Sequence, residues 1–148
     1  MQALRSAYRW WAAIVFLAVV VQVALAGYGA FNAVDKAEDR GSVDSDAVED
    51  GFGPHAALGY LIALATLVLV LLALGSRWDR RRTLWTAALF GLLVLQVVLA
   101  WIASSVAGLG VLHAANALAI FGLSGWLVAA AWRAPAEELP RGVTPPAA

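Results

Sequence analysis

His55 and His113 are the only histidines in this chain, and each is followed by Ala-Ala at the edge of a long apolar run. A neutral imidazole is the commonest metal ligand, and a facing pair forms the axial ligands of a six-coordinate haem iron. A flat macrocycle needs space beside its ligands. Gly59 lies four residues after His55 and Ala117 four after His113, so both helix faces are small beneath the rings. Gly27, Gly29, Ala26 and Ala100 thin the neighbouring walls, and Lys36, Arg40, Tyr28, Ser104 and Ser105 are candidates to receive the propionates.

The rest of the chemistry-bearing set is short. Gln22 and Gln96 are the only amides of their apolar runs, where polar groups turn to the bundle interior; we expect them to pair with each other across helices or to contact a ligand edge. Asn116, three residues after His113, is a candidate supporting group for the site. Glu49 and Asp50 are the carboxylates nearest His55 in sequence and the candidates there for proton chemistry. With no cysteine, disulfides, iron–sulfur clusters, thiolate zinc and covalent haem attachment are excluded. Ser104 or Ser105 with His113 lacks a third triad member, and GYGAFN and GLGVLH lack the last glycine and the strand of a dinucleotide fingerprint. Nothing points to nucleic acid.

These residues must be positioned by membrane helices. The chain is 62% hydrophobic and 14% charged, with a mean hydropathy of +0.78. Four segments, residues 8–31, 55–74, 83–104 and 111–132, are long enough to cross a hydrocarbon core of about 30 Å and must be helical there. Ala24-Leu25-Ala26 gives the first span a rival reading as a signal peptide, but its apolar run exceeds a signal core and we expect it to stay uncleaved. Arg5, Arg9, Arg77, Arg80, Arg81, Arg82 and Arg133 place both termini in the cytoplasm by the positive-inside rule. Residues 32–54, with seven acids and two bases, then form an external acidic loop, in which Gly51, Gly53 and Pro54 turn the chain into span two with Pro54 at its first position. Trp10, Trp11, Trp78, Trp85 and Trp132 read as an inner aromatic belt. Residues 134–148 read as a disordered cytoplasmic tail.

An internal repeat ties the spans together. Val21–Ala26 reads VQVALA and Leu95–Ala100 reads LQVVLA, and a His-Ala-Ala then opens the following span in each half. Spans two and four run in the same direction and lie diagonally in an all-α, up-down four-helix bundle, so the two imidazoles face one another near the outer surface.

Four spans, a Gln late in the first, a His opening the second, LQVVLA in the third and Leu-His in the fourth resemble one half of haem A synthase over residues 8–133. That family is built from two such halves, each with a His pair at its outer end. The resemblance implies that His55 and His113 ligate a b-type haem, and that Glu49 is the nearest counterpart of an external carboxylate thought to assist haem oxidation. This sequence holds one half and lacks the loop cysteine pair of some relatives. A homodimer would be needed to rebuild the eight-helix arrangement, and haem A synthesis by one chain alone is not implied. The expected function is electron transfer or haem handling in the plasma membrane. One haem near one surface cannot carry an electron across the bilayer, which implies a quinone or an external redox partner. The rival readings are a cofactor-free accessory subunit and a small transporter.

Overall fold

A computed structural model describes residues 2–77 and 79–133, apart from the side chain of Arg40. The expectations placed on Trp78, on that side chain and on the tail 134–148 lie outside the described residues. The described chain is all-helical: α1 Gln2–Arg40, α2 Ser45–Gly75, α3 Arg80–Ala103 and α4 Gly110–Arg133, with one 3₁₀ turn at Ala107–Leu109. All four α-helices are long and apolar enough to cross a membrane.

α1 packs on α2 and α4, and α3 packs on the same two helices. One end of the assembly gathers the start of α1, the end of α2, the start of α3 and the end of α4. Trp10 meets Trp132 edge-on with ring centroids 5.2 Å apart, and Tyr8 shares a 2.8 Å hydrogen bond with Thr86, both side chains fully buried. Arg5, Arg9, Arg77, Arg80, Arg81, Arg82 and Arg133 collect at this end. Trp11 differs from the belt expectation: its indole is half-buried and its Nε1 donates to the Ala65 carbonyl at 2.7 Å.

The internal repeat extends along the whole buried stripe. In α1 and α3 the corresponding positions are Ala12 and Thr86, Val15 and Leu89, Val19 and Leu93, all buried. In α2 and α4 they are Ile62 and Ile120, Thr66 and Ser124, Leu69 and Leu127, Ala73 and Ala131. Thr66 and Ser124 direct their hydroxyls to carbonyls of their own helix, at 2.8 and 3.0 Å, so neither leaves a polar group unpaired in the core. Outward, the chain is greasy: Leu17, Leu61 and Leu118 are 63%, 61% and 74% exposed, as a lipid-facing surface requires.

Residues 32–54 are a correction to the sequence reading. They form a helical hairpin, with a break only at residues 41–44. Gly41, at φ +72°, ends α1, and the Asp44 carboxylate caps α2 by accepting from Ala47 N at 2.8 Å. Pro54 consequently lies ten positions into α2, not at its first turn. Tertiary contact overrides the local breakers here. Gly51 sits so close to α1 that an added Cβ would stand 2.9 Å from Asn32 Nδ2 and 3.0 Å from the Gly29 carbonyl. Phe52 fills the notch left by Gly29, and Asn32 Nδ2 donates to the Ala47 carbonyl at 3.3 Å.

Replacing Gly51 by Ala should therefore force the hairpin apart and cost about 1–3 kcal/mol. Gly53→Ala, whose Cβ meets nothing within 4 Å, should be neutral or slightly stabilising. Thermal unfolding of the detergent-solubilised variants checks the contrast, and equal melting temperatures would sink the close-packing account.

Candidate functional site

Each histidine is held by the glutamine of its own half through two reciprocal hydrogen bonds. Gln22 Nε2 donates to the His55 carbonyl at 2.7 Å, and His55 Nδ1 lies 3.1 Å from the Gln22 carbonyl. In the second half Gln96 Nε2 donates to the His113 carbonyl at 3.0 Å, and His113 Nδ1 lies 3.2 Å from the Gln96 carbonyl. A carbonyl oxygen only accepts, so Nδ1 carries the proton in both rings. Nε2 of each neutral imidazole is then a lone-pair donor with no hydrogen-bond partner among the described residues. Backbone anchoring of Nδ1–H is the usual way a ligating histidine is oriented.

The rings face each other with centroids 6.5 Å apart and planes inclined at 56°, both half-buried. A metal bound at about 2.0–2.1 Å by each Nε2 would place the centroids roughly 6 Å apart. Among the described residues no three His, Asp or Glu side chains converge, so this pair has no carboxylate to complete a tetrahedral ion site. A macrocycle that brings its own equatorial nitrogens needs only two axial imidazoles. The donor set therefore fits haem better than a bare ion.

The other expected site residues divide sharply. Asn116 is buried and donates to the Leu92 carbonyl at 2.9 Å and to Gln96 Oε1 at 2.6 Å, bracing the glutamine that holds His113. Gln22 and Gln96 do not bond each other. Gly59 abuts Gln22, where an added Cβ would stand 3.1 Å from Nε2, so its smallness admits the amide. Ala117, its repeat counterpart, is half-buried.

Lys36 is not brought to the pair, and the backbone of Arg40 lies farther along the same helix. Because α1 is continuous, they lie about 21 and 27 Å beyond Gln22 along the helix axis. Glu49 is exposed and about 9 Å beyond His55 along α2, and Asp50 is exposed as well. A loop could have folded these groups back, but a rigid hairpin carries them away. Tyr28 is 55% exposed, and Ser104 bonds its own helix, donating to the Trp101 carbonyl at 2.6 Å. Phe52 stands edge-on to His55 with centroids 6.3 Å apart, seated over Gly29, and the sequence signals this contact only through that glycine.

The halves differ at one contact. Leu58 occupies the position corresponding to Asn116, so Gln22 Oε1 is buried without a hydrogen-bond partner. Since Nε2 is committed to the His55 carbonyl, an amide flip cannot relieve it. Asn116→Leu should leave Gln96 Oε1 in the same condition and cost about 1–3 kcal/mol. Leu58→Asn should give Gln22 its donor and raise stability. Melting curves of the two variants check both signs, and a stabilised Asn116→Leu protein would contradict the bracing role.

Residues 22–112 match the profile of DUF6220, described as a family of unknown function, and the chain belongs to that family. No curated protein and no solved structure matches.

Proposed function

We propose that this DUF6220 member is an integral membrane protein whose up-and-down bundle holds one b-type haem between His55 and His113, near the outer face of the plasma membrane. The observation that carries the reading is the facing pair of imidazoles, 6.5 Å apart, each with Nδ1 anchored and Nε2 turned to no protein partner. When bound, the haem would supply one-electron redox chemistry. The chain's own part is to hold and orient: His55 and His113 as axial ligands, Gln22 and Gln96 to fix ring orientation, and Asn116 to stiffen the second half.

Electron transfer or haem handling follows as the role, with a quinone or an external protein as redox partner. The arginine-rich end lies in the cytoplasm with both termini, and the acidic hairpin outside. Glu49 has no catalytic part in this reading, because it stands apart from the rings. One observation favours a second reading. Each Gln–His clasp is complete without any ligand, as expected of a cofactor-free accessory subunit that uses the clasps to hold helices in register.

The reduced-minus-oxidised absorption spectrum of the detergent-purified protein separates the two. Sharp low-spin haem bands are expected, lost in both His55→Ala and His113→Ala. A colourless protein after expression with ample haem would discard the cofactor and leave the register-holding role.

A further inference from the structure

Beside the two histidines the repeat breaks by the volume of one phenyl ring. Phe52 lies three residues before His55, stands edge-on to its ring and fills the notch over Gly29. Three residues before His113 the second half has Gly110, and the position corresponding to Gly29 is Ala103. Helical side chains lean back over the turn three or four residues earlier, so this is the position that flanks a histidine ring. A Cβ built on Gly110 would meet nothing within 4 Å, so space is open where the first half has its phenyl ring.

The walls around the pair also differ in height. α1 runs on to Arg40 and α2 starts at Ser45, so that side extends about 15 Å beyond His55 along α2. α3 ends at Ala103 and α4 starts at Gly110, and residues 104–108 of the turn between them are exposed. The open space at Gly110 thus lies at the low edge of the bundle.

We infer that haem reaches the histidine pair from the His113 side, through the opening at Gly110, while Phe52 closes the His55 side. The inference rests on the haem reading of the pair. A planar macrocycle has to slide edge-first between two imidazoles, so one flank of the pair must be clear of side chains. On α2 that flank is taken by Phe52, packed on Gly29 of α1. On α4 the glycine leaves it clear. Gln96, braced by Asn116, then holds His113 in place at the open flank, which gives a reason for a brace that the closed half lacks.

The test pairs a haem measurement with one on the haem-free protein. Haemin uptake by the full-length chain in detergent, and its release to excess apomyoglobin, are followed by absorbance. Gly110→Phe, the mirror of Phe52, should slow both about tenfold and leave the final spectrum unchanged. Gly110→Leu should slow them less, and Phe52→Ala should speed them. Gly122→Phe, at an exposed position farther along α4, should keep the wild-type rates. In the haem-free protein, diethyl pyrocarbonate acylates the free Nε2 of each imidazole, and mass spectrometry reads the two sites separately. Acylation of His113 should fall by a similar factor in Gly110→Phe, and that of His55 should rise in Phe52→Ala. Wild-type haem exchange in both Gly110 variants, or equal slowing by Gly122→Phe, would overturn the inference. Unchanged His113 reactivity in a Gly110→Phe protein that still binds haem would overturn the opening and spare the haem reading. A chain that takes up no haem, with His113 shielded as expected, would discard the haem reading and haem as the passenger.

Discussion

Everything at the histidine end depends on the reciprocal bonding between a glutamine and the histidine of the next helix. Each clasp uses the side chain of one residue on the backbone carbonyl of the other, in both directions, and so fixes the axial register of a helix pair. In the proposed bilayer setting, helix association gains little from the hydrophobic effect, because lipid tails are as apolar as leucine. Directional bonds between helices then decide register, and a slip of one residue would leave the amide facing a wall of methyl groups. The same bonds settle the tautomer of both imidazoles and turn their remaining nitrogens away from the backbone.

The repeat gives this constraint its symmetry, and its breaks are informative. Buried positions correspond one to one along both helix pairs, down to paired Ile, Leu and Ala residues and a pair of back-bonded hydroxyls. The hairpin lengths differ, with 33 residues separating Gln22 from His55 and 17 separating Gln96 from His113. The surplus extends α1 and α2 into an acidic helical projection held by the Gly29–Gly51 approach. The two halves therefore share a core and differ in what they present beyond it.

At the opposite end, the same chemistry is used in reverse. Tyr8 crosses to Thr86 in the buried centre, Arg82 reaches the last turn of α4, and the tryptophans brace the helix ends edge-on. Tyr8, Thr86 and Arg82 Nη2 are paired within the bundle there, Arg9 Nε is buried without a hydrogen-bond partner among the described residues, and Asp79 caps α3. Charge is segregated along the axis, acids beyond the histidines and arginines at the far end.

Much of this was legible without coordinates. Apolar runs of about 20 residues can only be helices in lipid, and two polar residues repeated in the same order mark the positions that face inward. The spacing places both histidines at the same height on diagonal helices and puts Asn116 on the face beside His113, but that Asn116 donates to Gln96 comes only from the packing. In the acidic segment Gly51, Gly53 and Pro54 are local breakers, whereas the close packing of Gly51 on Gly29 and Asn32 is a contact with another helix that local sequence does not reveal. The continuous α1 and α2 carry Lys36 and Glu49 away from the rings. Sequence also could not say what each glutamine would bond, since an amide in an apolar helix has several equivalent ways to be satisfied. Only the packing of α1 on α2 and α3 on α4 brings it within reach of one particular carbonyl.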